Sequence, residues 1–322
     1  MMKLRYLAEN FALARLALKR YAHDEQTLDL YLRHFRISSN AVYPYANKGA
    51  RCFLRLAPVQ EKELEQVQAE IEYIRYLNAK GFSAMKPVAD GCGRLASQLS
   101  SPWGLYCVSA FESVPGCPAE DVLPDPDCLY EMGRTLGRMH QLSRGYQPTV
   151  FRHSHHQVVQ QIRRMLEDNH APDGIVQKLD ELVQELEGLP VNSETYGLLH
   201  YDFEPDNVFW DESTRTCSVI DFDDSMYGWF ALDVVQALDA LAEDVDDTQA
   251  DVFMQGYRSA SPYTAEMEAQ QPLMRRFVQL RKYARLLHCL GDEIAVPPEW
   301  MADLCMRLNA ARQHLENRIL HG

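Results

Sequence analysis

The chain has 322 residues, of which 46% are hydrophobic and 24% charged, an ordinary globular balance that excludes collagen-like, coiled-coil and wholly disordered proteins and allows about two domains. Lys plus Arg is 32 against Asp plus Glu at 46, a net charge of −14. That field repels phosphodiester backbones and anionic lipid, so nucleic acid and membrane are set aside as partners, while a neutral or cationic small molecule is compatible with it. The eight cysteines include no C-x-x-C pair and read as thiols of a reducing cytoplasm.

Within residues 1–21, Leu4, Leu7, Phe11, Ala14 and Leu18 recur at helical spacing, while Glu9, Arg15, Lys19 and Arg20 interrupt any apolar targeting core. An amphipathic helix packed on its own protein is expected there. Residues 31–37 and 41–45 read as short strands around a Ser38-Ser39-Asn40 turn. Residues 51–56 form a third, in which Cys52, Leu54 and Leu56 face one way and Arg55 the other. Leu64, Val67, Ile71, Ile74 and Leu77 mark a helix that Gly81 ends, and 105–111 is a further apolar strand. Residues 1–115 thus read as a small sheet crossed by one long helix.

From Leu129 the pattern turns helical: Leu129, Met132, Leu136 and Met139 mark one helix, and 156–168, 176–187, 229–243, 248–259, 267–290 and 297–318 mark others. His153, His155 and His156 lack a Cys or acid at ligand spacing and read as a solvated helix start behind Ser154. Between 196 and 224 the helices give way to two short strands dense in polar residues. There His200, Asp202 and Asn207 form H-x-D-x-x-x-x-N, the spacing of a kinase catalytic loop, in which the Asp is the base and the Asn a metal ligand. Asp221 opens Asp-Phe-Asp at the end of the next strand, where a second magnesium-binding carboxylate belongs.

The segments LLHYDFEPDNVFW and SVIDFDDSMYGWFALDVVQAL, joined by SSNAVYPY, CFLRL and QAEIEYIRYLNAKGFSAMKPV, resemble the aminoglycoside phosphotransferase and choline kinase family. The resemblance implies an α+β, bilobal, protein-kinase-like fold: a nucleotide-binding lobe over 1–115 and a larger, mainly helical lobe over 116–322 for catalysis and substrate. It implies an ATP- and Mg2+-dependent transfer to a hydroxyl group of a small molecule such as an amino alcohol, amino sugar or aminoglycoside. Asp202 is then the catalytic base, and Asn207 and Asp221 hold magnesium. Arg55, standing where the family more often has Lys, and Glu70 on the crossing helix position the nucleotide. Ser39 and Asn40 cover its phosphates without a glycine loop, and Phe111, Glu112 and Ser113 form the hinge facing adenine. His200 braces the loop, and Asp233 receives backbone N–H groups of the catalytic loop. Asp223 and Asp224 contact metal or a cationic substrate, or are solvated turn residues; His288, Asp292 and Glu293 stand where family members line the acceptor pocket. Two alternatives remain open: a protein Ser/Thr kinase of the same fold, which the short 225–228 segment opposes, and a nucleotide-binding pseudokinase, toward which only Arg55 points.

Overall fold

Apolar alternation builds the first lobe as an antiparallel sheet in the order β1-β2-β3-β5-β4, from β1 (Arg36–Ile37), β2 (Ala41–Asn47), β3 (Ala50–Pro58), β4 (Ala96–Ser101) and β5 (Gly104–Glu112). The computed structural model describes residues 2–6, 10–242, 245–291 and 299–321. Lys48 and Gly49 take left-handed φ of 51° and 78°, the geometry of a two-residue hairpin turn. Both their N–H groups donate to the Asp24 carboxylate, at 2.9 and 2.8 Å. That turn fixes the register that sets Val42 opposite Arg55 and Tyr43 opposite Leu54. One sheet face buries Tyr43, Leu54, Leu56 and Val108 under α1 (Phe11–Leu18) and α2 (Leu28–Leu32). The helix α3 (Leu64–Ala79) sends Ile71, Tyr73 and Leu77 into the core shared with the second lobe.

Two expectations need correction here. Residues 31–37 are not one strand: Leu28 and Leu32, four apart, are buried together on α2, which takes up Tyr31, and only Arg36–Ile37 pairs with β2. The N-terminal helix is shorter than expected, comprising a turn at Leu4–Tyr6 and then α1, whose N-terminus is capped by Asn10 Oδ1 accepting the Leu13 N–H at 2.8 Å.

The second lobe opens with β6 (Cys117–Pro118) and α4 (Pro126–Ser143), followed by α5 (His155–Asp168) and α6 (Asp173–Glu187). A strand group comes next: β7 (Tyr196–Leu198), β8 (Val208–Asp211), β9 (Thr216–Val219) and β10 (Tyr227–Trp229). Strand β7 pairs with β10, and β8 lies between β6 and β9. Then come α7 (Phe230–Leu241), α8 (Asp247–Ala260), α9 (Ala265–Ala269), α10 (Gln271–Leu290) and α11 (Glu299–His321). The continuous helix expected over 267–290 is broken at Gln270, because Pro272 belongs in the first turn of a helix and not in its interior. Helices α4 and α8 approach closely enough that a Cβ on Gly133 would lie 1.9 Å from the Phe253 carbonyl oxygen, and one on Gly256 1.9 Å from that of Tyr130. His155 is not solvated as expected: it is buried, with Nδ1 2.8 Å from the Tyr196 hydroxyl and its ring against Trp229. Among the described residues no helix is long and apolar enough to cross a membrane, and the cysteines form no disulfide.

Candidate active site

The loop between β7 and β8 is carried by α7. Asp233, in the first turn of α7 and fully buried, accepts the backbone N–H of His200 at Oδ2 (2.8 Å) and that of Tyr201 at Oδ1 (2.7 Å). The His140 ring, 2.8 Å from the Tyr257 hydroxyl, meets the same carboxylate at 3.0 Å. A buried carboxylate is tolerable only when so fully bonded. With the backbone held there, Tyr201 sits at a left-handed φ of 59°, a conformation a bulky side chain adopts only under constraint. His200 Nε2 lies 2.9 Å from the Ile220 carbonyl, and Nδ1 accepts the Asp202 N–H at 3.2 Å. One neutral tautomer serves both bonds, and burial lowers the pKa of the ring, favouring that neutral form.

Asp202 faces a cavity of about 300 Å³ between the lobes, also lined by Asn207, Asp221, Arg55, Ser39 and the Phe111-Glu112-Ser113 segment. Burial, with Asp224, Glu204 and Asp221 nearby, pushes its carboxyl well above the ordinary range, while Arg285 pulls it down. Asn207 donates its amide N–H to Asp202 Oδ2 at 3.0 Å, which leaves its amide oxygen to other partners. Asp221 stands at a left-handed φ of 58° at the end of the β9 segment. Its Oδ1 is buried without a hydrogen-bond partner, and burial together with Asp223 pushes its carboxyl up to about 7.

This donor set fits a magnesium ion. A carboxylate oxygen without a hydrogen bond and an amide oxygen are the hard donors it prefers. Among the described residues no group of three or more His, Cys, Asp or Glu side chains could hold a metal ion; in this cavity the residues that could contribute to holding one are Asn207 and Asp221.

On the opposite wall Arg55 forks onto Glu70. Nη1 donates to Oε1 at 2.9 Å and Nη2 to Oε2, with both residues buried. The guanidinium also lies 3.7 Å from Asp221, 3.9 Å from Asp223 and 4.8 Å above the Phe111 ring centre. Burial opposes its charge, but Glu70 and Asp223 outweigh that and raise its pKa. In the Phe111-Glu112-Ser113 segment the N–H groups of Glu112 and Ser113 already donate to the Lys86 and Arg51 carbonyls, at 2.8 and 3.0 Å; Val114, the next residue, lines the same cavity. Ser39 reaches the cavity. Asn40 lines neither this cavity nor the larger one described next, and its buried side-chain oxygen lacks a partner.

Asp223, Asp224 and His288 meet at that second cavity, of about 460 Å³, between the start of α3, α5 and α10. Each is already paired: Asp223 with Lys62, Asp224 with Arg281 (2.9 Å) and Arg285, and His288 with Glu61 (3.0 Å). Burial works against both acids, yet Lys62 and Arg55 hold Asp223 below its usual range, and Arg281 and Arg285 hold Asp224 well below it. Asp292 and Glu293 lie outside the described residues.

A family model described as the phosphotransferase enzyme family, APH, matches residues 36–270. The chain belongs to this family. Amicoumacin kinase of Bacillus subtilis (strain 168) is 26% identical over 232 residues, 67% of this chain and 68% of that protein. Homoserine kinase of Sinorhizobium medicae (strain WSM419) is 28% identical over 184 residues, 54% of each. Among solved structures, amicoumacin kinase hAmiN in complex with AMP-PNP, Ca2+ and Ami superposes with a TM-score of 0.78 at 20% identity, covering 98% of this chain and 95% of that one. The microcompartment-associated aminopropanol kinase gives 0.69 at 22%, covering 96% and 97%. The bilobal kinase-like fold expected from the sequence is therefore the observed one, and the protein is a small-molecule phosphotransferase of the APH family.

Sequence reasoning overlooked the cations of this phosphotransferase. Lys62, Arg281 and Arg285 neutralise Asp223 and Asp224, and Arg152 donates from Nε, Nη1 and Nη2 to the carbonyls of Ser225 (2.6 Å), Gln66 (3.2 Å) and Phe222 (2.8 Å). Arg281, Arg285 and His288 fall at i, i+4 and i+7 of a buried helix, one face carrying three basic side chains. That spacing was the available signal.

Proposed function

We propose that this phosphotransferase moves the terminal phosphoryl group of ATP, bound with Mg2+, to a hydroxyl group of a small molecule. The observation that carries the reading is convergence: Asp202, Asn207 and Asp221 from the second lobe and Arg55 from the first line the same cavity of about 300 Å³. Asn207 and Asp221 would hold magnesium, whose charge, when it is bound, would offset that of the phosphates. Asp202, its carboxylate oriented by Asn207, would take the acceptor's proton as the hydroxyl oxygen bonds to phosphorus and the bond to the ADP leaving oxygen breaks. Arg55, held by Glu70, would meet the phosphates, and the Phe111-Glu112-Ser113 segment would face adenine, with Val114 supplying the next backbone donor. The division at 115/116 belongs to this reading, since the Ser113 N–H still bonds the first lobe at Arg51 while Cys117 pairs with Trp210 in the second. So does a cytoplasmic location, where ATP is available.

The relatives' names point to two kinds of acceptor, amicoumacin through the amicoumacin kinases and a small amino alcohol through aminopropanol kinase and homoserine kinase. Asp223 and Asp224 are already matched by cations, and Glu204, two residues from the proposed base, pairs with Lys282 at 3.5 Å, so an acceptor ammonium would have to share an acid with one of these cations. Coupling ADP release to a panel of amino alcohols, amino sugars and antibiotics tests this. Turnover with one panel member, abolished in Asp202→Asn, is expected. Label from ATP appearing on polypeptides instead would overturn the small-molecule reading, and nucleotide binding with no turnover on any acceptor would favour a pseudokinase.

A further inference from the structure

The guanidinium of Arg285 is shared between the lobes. Nη1 pairs with Asp224 in the second, and Nη2 donates to Ser39 Oγ at 2.8 Å in the first, across 246 residues of sequence. Ser39 is the one residue that lines both described cavities. It sits in the turn between β1 and β2, where the Met2 N–H donates to the Ser38 carbonyl and the Ser38 N–H to that of Asn40, both at 3.0 Å. Arg285 is thus the side chain on α10 that ties this turn to the second lobe. A planar fork can serve a carboxylate and a hydroxyl at once; an ammonium in its place serves one well.

We infer that Arg285 is a positioning residue for nucleotide binding, clamping the Ser38-Ser39-Asn40 turn over the smaller cavity before the nucleotide enters. The inference rests on the nucleotide reading above. An unanchored turn must be ordered when ligand binds, and that ordering subtracts from affinity; Arg285 and Ser39 order it in advance. Asp224 does not depend on Arg285 alone, because Arg281 also pairs with it and lies 4.0 Å above the Tyr201 ring. Loss of Arg285 therefore leaves the buried acid with a cation.

The test is calorimetric titration of AMP-PNP with Mg2+ into the wild type, Ser39→Ala, Arg285→Gln, Arg285→Lys and Ser39→Ala/Arg285→Gln. Each single substitution is expected to weaken binding about tenfold, the loss of one charge-assisted hydrogen bond, and the double variant no more than either single one. Arg285→Lys keeps the charge beside Asp224 and should lose affinity with Ser39→Ala. Should Arg285→Gln fail to fold, Ser39→Ala, Arg285→Lys and their combination carry the same cycle. A merely structural Arg285 would lower the melting temperature while Ser39→Ala left affinity unchanged; that result, or losses that add in the double variant, overturns the clamp. A wild type that does not bind AMP-PNP with Mg2+ overturns the nucleotide reading itself.

Discussion

Asn207 grips Asp202 twice with one amide nitrogen, at the main-chain carbonyl (2.9 Å) and at carboxylate Oδ2 (3.0 Å). The bond fixes the rotamer of the proposed base and, by orienting the amide, leaves the oxygen of Asn207 as the atom that would meet the proposed metal. Asn207→Ala should therefore do two things at once. Turnover is expected to fall about 10²-fold or more as the base loses its orientation, and the Mg2+ concentration for half-maximal rate should rise. A rate loss with unchanged Mg2+ dependence, measured by ADP release across a magnesium titration, would remove Asn207 from the metal site.

Arg55 and Glu70 are a buried, two-point ion pair, so the response to substitution depends on what is left behind. Arg55→Met strands Glu70, 1% exposed, and is expected to destabilise the protein by about 3–5 kcal/mol. Arg55→Lys retains a charge and should change stability less while shifting the nucleotide KM more than kcat. Urea titration and steady-state kinetics separate these effects; equal stability losses in both variants would contradict the assignment.

At the crossing of α4 and α8 there is no room for a methyl group. Gly133→Ala forces the helices apart at a contact where the added carbon would meet a carbonyl oxygen rather than a movable side chain. A destabilisation of about 1–3 kcal/mol or more is expected, visible as a lower melting temperature. An unchanged melting temperature would mean the helices are not packed as described.

The buried histidines give the stability of this fold a pH-dependent contribution of definite sign. Burial lowers the pKa of His140 and takes His155 down to about 4, so both are neutral in the native state while the unfolded chain takes up protons from its ordinary value near 6.5. Between about pH 6.5 and 4 these two rings make the unfolded state bind more protons, a contribution that is lost on acidification, whereas Asp202 and Asp221, whose carboxyls are raised in the native state, contribute in the opposite sense over the same range. The histidine part is isolated by comparison: the urea midpoint of His155→Phe should fall less, or rise more, than that of the wild type between pH 7 and 5. An identical pH dependence in the two proteins would refute the burial of this ring.

Much of the site was readable because it is local in sequence. His200, Asp202 and Asn207 lie within one loop, Asp221 ends the next β segment, and the apolar repeat of α3 marks the helix that carries Glu70. The illegible parts are those decided across distance. Nothing near Asp223 or Asp224 announces that Lys62, 161 residues away, or Arg285, 61 residues away, will neutralise them, and so they read as open acids. Strand β4 escaped notice because only Ser97 and Leu99 are buried along it, too few apolar positions to show an alternation. Tyr31 and Leu32 have strand-favouring neighbours, yet burial of Leu28 with Leu32 settles that segment as helix, a tertiary preference that outweighs a local one.

The two oxygens of Asp233 make the Asp202 loop a passenger of α7. Through His140 and Tyr257 it is also moored to α4 and α8, while Arg55 and Glu70 travel with the sheet and α3. The proposed proton acceptor and the proposed phosphate-binding pair thus hang on different elements, joined through the core that α3 shares with the second lobe. A change at Tyr257 would then reach the Asp202 loop through His140 and Asp233 while leaving the Arg55–Glu70 pair in place.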